Sequence, residues 1–313
     1  MKYILKKVGI FILTLLGISV LVFLAFQIIP GDPTTRMLGT QATPEKVAAL
    51  REQLGLNQSG IVRYFKWLSG FVNGDYGISY SYNIPVSELL SGKIAITAAL
   101  SGMSFLMVLF MSLPIGVLRA RFAHSIPDRI SMVFNQIIMS VPPFFIGIIF
   151  TYVFGLSLKL FTPGDFIPHS VNPAGFWGFL VFPALAIALP KSAMVVKLLR
   201  SSMVKEMSED YVRTAYSRGN SRWQVLSRHV MRNAIIPVVT FLAVTLVDII
   251  AGSIIIEQVF AIPGMGRLLL SSIIGRDLPV VQTIIMIISI AVISVNYLAD
   301  ISYKYIDPRI RFR

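Results

Sequence analysis

Six apolar runs, each near the ~20 residues a helix needs to cross a bilayer, limit this chain more than any other feature of its sequence. They cover residues 8–29, 94–117, 130–156, 176–199, 238–260 and 280–301. Little polar material is left over: 14% of the 313 residues are charged and the mean hydropathy is +0.74. That is too few polar groups to cover a soluble domain. The expected fold class is an all-α polytopic membrane protein with about six transmembrane helices. The first run is longer than a signal-peptide core, and it ends in Pro30-Gly31-Asp32-Pro33, which is no cleavage site. It reads as a retained first span.

Charge orients the spans. Lys2, Lys6 and Lys7 precede the first. Arg119, Arg121 and Arg129 lie between the second and third, Lys197 to Arg232 between the fourth and fifth, and Lys304, Arg309, Arg311 and Arg313 follow the sixth. All of these fall on one side, while the stretches 157–175 and 261–279 carry no such excess. Positive loops face the cytoplasm, so both termini are expected there. The same bias accounts for the net charge of +13 without invoking nucleic acid. Residues 30–93 balance their charges and read as an extracytoplasmic helical segment. Thr43-Pro44 starts a helix that Gly55 stops. Ile61, Tyr64, Phe65, Leu68, Phe71 and Val72 form an apolar stripe that Asn73-Gly74 ends. The chain thus divides into 1–29, 30–93, a core of 94–303 with a cytoplasmic loop at 200–237, and a tail of 304–313.

That loop holds the longest polar, basic stretch, from Glu209 to Pro237, with Arg213, Arg218, Arg222, Arg228 and Arg232. Its pattern is helical on both sides of Gly219: helix, break, helix. It is either a solvated loop whose arginines fix topology or a docking element for a cytoplasmic partner. Pro142-Pro143 in the third span and Pro190 in the fourth predict interrupted helices, which line pathways in some bundles and only bend the helix in others. Lys191 precedes Arg200 by ~13 Å of helix, and Asp248 follows Pro237 by ~16 Å. Both therefore fall deep in the hydrocarbon, where charges pair or serve function. No G-x-x-x-x-G-K-[ST] occurs, so no nucleotide is bound by a P-loop. Cysteine is absent, and His124, His169 and His229 read as loop residues without metal-ligand spacing. No catalytic, cofactor-binding or metal-binding residues can be assembled, which leaves an intramembrane hydrolase as the remote enzyme alternative.

Arg213-Thr214-Ala215, then Gly219, then Ile235-Ile236-Pro237 resembles the EAA-x3-G cytoplasmic motif of ABC importer membrane subunits. Arg213 and Thr214 replace the Glu and first Ala, and the gap from Gly219 to Pro237 is longer. Both departures are similar to the oligopeptide/dipeptide/nickel permease branch, which reads close to DYVRTAxxxG and RNAxxP. The residues here are Asp210-Tyr211-Val212-Arg213-Thr214-Ala215, Gly219, and Arg232-Asn233-Ala234. Further blocks also resemble that branch: Pro30-Gly31-Asp32-Pro33, Leu54-Gly55-Leu56, Gly74-Asp75-Tyr76-Gly77, Glu257-Gln258-Val259-Phe260 and Pro263-Gly264-Met265-Gly266-Arg267. Arg276-Asp277-Leu278-Pro279-Val280 and Asp307-Pro308-Arg309-Ile310-Arg311 complete the set. The long segment after the first span resembles the B-type permease of such systems more than its C-type partner.

The resemblance implies a type I ABC importer permease that alternates between inward- and outward-open states. It implies four kinds of partner: a homologous second permease (C-type), two cytoplasmic ABC ATPases that bind ATP and Mg, an extracytoplasmic substrate-binding protein, and the bilayer. The coupling residues it implies are Asp210, Tyr211, Arg213, Thr214, Ala215, Arg218, Gly219 and Arg222, on a short helix that acts as a rigid lever. Lys191, Asp248, Pro142 and Pro143 belong to no such motif and remain candidates for the pathway. Peptides are the expected cargo, with nickel or a metal chelate as the alternative. A self-sufficient channel or ion-coupled carrier is the reading from a different class.

Overall fold

In a computed structural model, the residues described are 2–28, 33–39, 42–53 and 55–306. Pro30, Gly31, Asp32, Leu54 and residues 307–313, which carry parts of the motifs above, lie outside them. Among the described residues every regular element is helical, with one isolated antiparallel bridge between Ile78 and Pro85. The order is α1 (Lys2–Ile28), α2 (Pro33–Leu38), α3 (Pro44–Gln53), α4 (Gly60–Val72), α5 (Val86–Leu90), α6 (Lys93–Arg121) and α7 (Ile126–Ser140). Then come α8 (Pro143–Phe150), α9 (Pro173–Glu206), α10 (Asp210–Ser217), α11 (Arg222–Gln224), α12 (Met231–Val259), α13 (Met265–Ile274) and α14 (Leu278–Ile306). A π-helical turn, Thr151–Ser157, continues α8, and another, Val225–Val230, joins α11 to α12. Five helices have the length and composition of membrane spans, and the bent pair α7–α8 raises the number to six if it counts as one.

The chain forms two compact units. Residues up to Ile96 with Pro263–Ser294 make the first, and Thr97–Ile262 with the end of α14 from Val295 make the second. In the first unit the helices expected from residues 43 and 61 onward are present, of which α4 is amphipathic whereas α3 is not. The Lys46 amide donates to the Thr43 hydroxyl (3.4 Å) at the start of α3. Asn73 caps α4, and Gly74 follows at φ +83°. The aromatic side of α4 packs on α1: Tyr64 and Ser19 share a hydrogen bond between hydroxyls (2.8 Å), and Phe23 meets the Tyr64 ring edge-on at 5.4 Å. Buried Asp277, just before α14, accepts hydrogen bonds from the Ser79 hydroxyl and from the amides of Tyr80 (3.0 Å) and Ser81 (3.1 Å). One carboxylate thereby fixes the turn that follows Gly77, and burying it costs little because its lone pairs are used.

In the second unit α9 is the most buried span and packs against α7, α8 and α12. One expectation is corrected here. Pro190 does not interrupt its helix, because α9 runs unbroken through Pro183 and Pro190. Both prolines are buried, so packing from neighbouring helices holds the backbone where its own hydrogen bond is missing. In the third apolar run the expected interruption is present, and α7 and the α8 segment meet there at 94°. The tandem Pro142-Pro143 explains the angle. A residue before proline is pushed out of the α region, and here that applies to two in a row: Val141 (ψ 123°) and Pro142 (ψ 142°) are both extended.

Close helix approach fixes one position tightly. A Cβ at Gly116 on α6 would lie 2.7 Å from Leu199 Cδ2 and 3.1 Å from Leu199 Cβ on α9. Small residues permit this proximity between membrane helices. Gly116→Ala is expected to destabilise the protein by about 1–3 kcal/mol through overpacking. Leu199→Ala should then cost less in that background than in the native one, read as a double-mutant cycle of thermal stability in detergent. Strict additivity of the two changes would refute the contact.

Candidate functional site

The basic stretch becomes a short exposed helix held between two long ones. α9 extends past its apolar run to Glu206, and the helix beginning at Arg222 runs to Val259. Those 38 residues measure ~57 Å, roughly twice the hydrocarbon thickness. The helix expected after Gly219 is present and begins at Arg222, with Ser221 as its N-cap. Ser221 makes a reciprocal capping box with Gln224: the Ser221 amide donates to Gln224 Oε1 (2.9 Å) and the Gln224 amide to Ser221 Oγ (3.4 Å). S-x-x-Q, here Ser221 to Gln224, is the sequence signature of that box. His229, read as a loop residue, lies within the π-helical turn.

Between the two long helices sits α10. Its Val212 and Ala215 are buried, while Asp210, Arg213, Thr214, Tyr216, Ser217 and Arg218 are exposed. α10 packs on the π turn, so the helix is seated by an apolar side and presents a polar, basic one. Its end is a complete Schellman closure. The Gly219 amide donates to Tyr216 O (2.9 Å) and the Asn220 amide to Ala215 O (3.4 Å), with Gly219 left-handed at φ +81°. The Asn220 side-chain amide adds a second bond to Ala215 O (3.0 Å). At the other end Tyr211 donates to Glu206 Oε2 (2.7 Å). Burial, then the Glu206 carboxylate, push its hydroxyl up to about 12, so it stays a neutral donor and ties α10 to α9. Arg213 and Asp210 lie 3.7 Å apart, almost fully exposed, a pair that contributes little to stability.

The predicted coupling residues therefore separate by role. Asp210, Arg213, Thr214 and Arg218 form the open face, Ala215 and Tyr211 seat the helix, and Gly219 closes it. Arg222 turns back to the bundle, where its guanidinium donates to Arg121 O at the end of α6 (2.7 Å). Arg121 in turn lies over the Trp223 ring at 5.6 Å, a cation–π contact. These contacts fasten α11 to α6.

Beside them lies a cluster that sequence reasoning missed. Asp128, in the first turn of α7, is 2% exposed. Arg200 on α9 grips it with two bonds, Nε to Oδ1 (2.8 Å) and Nη2 to Oδ2 (2.5 Å). Arg119 on α6 lies at 3.5 Å, and the His124 amide donates to Oδ2 (3.1 Å). One carboxylate thus joins the basic ends of three spans. Lys191 and Asp248 also meet: Nζ donates to Oδ2 (2.7 Å) between α9 and α12, with the Asp248 side chain 52% exposed. Pro142 and Pro143 form the 94° corner between α7 and α8.

With this geometry in hand, comparison with known proteins gives matches along the chain. Residues 112–312 match the family described as binding-protein-dependent transport system inner membrane component, and residues 1–101 match its N-terminal companion family. A protein named as a peptide transport system permease from Brucella abortus is 35% identical over 309 residues, covering 99% of this chain and 98% of the relative. One named as a peptide ABC transporter permease from Sinorhizobium fredii is 33% identical, covering 99% of each chain. A glutathione transport system permease protein from Salmonella paratyphi A is 34% identical, covering 100% of each.

Proposed function

This chain belongs to the binding-protein-dependent transport system inner membrane component family and is a multi-pass permease subunit of an ABC importer, and from that premise we propose that it carries peptides into the cell. The names of the relatives support peptide cargo, glutathione being itself a tripeptide. In this reading a homologous second permease completes the pathway, two cytoplasmic ATPases bind ATP and Mg, and an extracytoplasmic binding protein delivers cargo. Both termini face the cytoplasm. Hydrolysis belongs to the ATPases, so this chain is not an enzyme and carries no cofactor of its own.

The observation that carries the coupling role is α10, whose apolar side is seated by Val212 and Ala215 while its basic side stays open. Arg213 and Arg218 would meet acidic groups in a groove of the ATPase. Arg222 and Tyr211 would pass the movement on to α6 and α9 through the bonds described above. Lys191 and Asp248, neutralised by each other, suit a place beside the pathway, where an unpaired charge would be costly. Pro142 and Pro143 would set the backbone corner that borders it.

Reconstitution tests this reading. Proteoliposomes holding both permeases, the ATPases and the binding protein should take up a labelled dipeptide only with ATP. Omission of any one component should abolish uptake. Peptide flux through this chain alone would instead assign a channel or carrier, and ATP-driven uptake of a nickel chelate without peptide would overturn the cargo.

A further inference from the structure

The first unit contains a cavity of about 270 Å³ where the C-terminal part of α1 meets the N-terminal end of α14, at Phe23 on one side and Leu278, Pro279 and Gln282 on the other. Both helices are membrane spans. Phe23 lies six residues before Ile29, the last residue of the first apolar run, or about 9 Å of rise. The cavity is therefore at the boundary between hydrocarbon and headgroups.

Its third wall is α4, which has the build of a helix lying in that boundary. Ile61, Phe65 and Val72 are 72%, 62% and 77% exposed along one ridge. Tyr64, Trp67 and Phe71 form an aromatic side, of which Tyr64 and Trp67 meet Phe23 of α1. Arg63 and Lys66 lie one turn apart on a third side, roughly opposite the apolar ridge, and line the cavity. An apolar ridge set against a cationic row is the pattern of interfacial helices, and tyrosine and tryptophan concentrate at this depth.

Among the described residues neither Arg63 nor Lys66 forms an ion pair with a carboxylate. Asp75, the acidic residue of the lining, turns one oxygen to the Gly77 amide (3.0 Å). Two cations and one such carboxylate leave the cavity net positive, with Tyr76, Tyr80 and Gln282 as further hydrogen-bonding groups. Close approach of Gly70 to the Asp75 backbone keeps the wall in place, since a Cβ there would lie 2.9 Å from Asp75 O.

We propose that this cavity holds the phosphate headgroup of an anionic phospholipid, with the acyl chains running along α1. The proposal needs α1 to cross the membrane but does not depend on cargo or on the coupling role. Each cation near an anionic lipid contributes a factor of about five in binding, and Asp75 offsets part of it.

The test uses the assembled importer in nanodiscs of phosphatidylcholine with phosphatidylglycerol, extracted into detergent and weighed by native mass spectrometry. Phosphatidylglycerol should be retained in preference to phosphatidylcholine. R63Q with K66Q should lower that preference by about 25-fold, the product of two such factors, and K66Q alone, at an exposed position, by about fivefold should the double variant fail to assemble. K46Q with R51Q on α3 should leave it unchanged. Equal retention of the two lipids, an equal loss in the α3 control, or no loss in K66Q would overturn the proposal. So would displacement of the lipid by millimolar inorganic phosphate, which would assign the cavity to a free anion. Retention of trialanine by the delipidated complex, lost in K66Q, would assign it to cargo.

Discussion

Asp128→Ala is expected to cost the folded protein about 3–5 kcal/mol, the range for removing one partner of a buried ion pair. The side chain is fully enclosed, and its two oxygens take both bonds of Arg200 while facing Arg119. Without it, two guanidinium groups that are 14% and 9% exposed repel each other across a vacated site. The amide of His124, held left-handed at φ +69°, loses its acceptor as well. The importer should show a sharply reduced yield in membranes and a large drop in melting temperature in detergent. Asp128→Leu combined with Arg119→Met and Arg200→Met should recover much of it, because apolar side chains can replace a whole buried ionic cluster at little cost. A single Asp128→Ala variant melting within a degree or two of the native protein would show that the cluster is wet and weak.

Gly219→Val is the change expected to affect transport most relative to its effect on the fold. No atom lies within 4 Å of a Cβ built there, so crowding is not the cause. The cost comes from φ +81°, a left-handed conformation that costs an ordinary residue about 1–2 kcal/mol, and a β-branched one more. The bundle can absorb that amount. The Schellman closure cannot, because α10 takes its direction from it. On the proposed coupling role, ATP-driven uptake should fall by about tenfold or more, the rate factor for 1.4 kcal/mol or above. The ATPases would be lost on purification, or would hydrolyse ATP without import. Gly219→Asn, which tolerates the left-handed region, should keep most of the uptake. Normal import in the valine variant would remove α10 from the coupling path.

The spans were legible because length and hydropathy are sufficient to mark them. The helix–break–helix around Gly219 was legible because glycine after a polar turn has one common use. The 94° corner at Pro142-Pro143 was not, since an apolar run reads the same straight or folded. Telling it from Pro190 needs the backbone before each proline. The Asp128 cluster was hidden for another reason. Its partners lie 9 and 72 residues away, a spacing that no local pattern marks. Ser125, whose hydroxyl accepts from the Asp128 amide at 3.4 Å, was the local sign that a helix begins there. Lys191 and Asp248 could be placed at similar depth by counting residues, but their contact depends on the facing of α9 and α12.

The π-helical turn at Val225–Val230 has a consequence for azimuth. A wider turn takes up one more residue than an α turn, and each residue is about 100° of rotation. Everything before it in the long helix, Arg222 and Trp223 included, is turned by that angle about the helix axis relative to an unbroken α-helix. In the unbroken phase those two side chains would point away from Arg121. The bulge therefore indexes the cytoplasmic end of this rod to the rest of the bundle, much as a keyway sets the phase of a shaft.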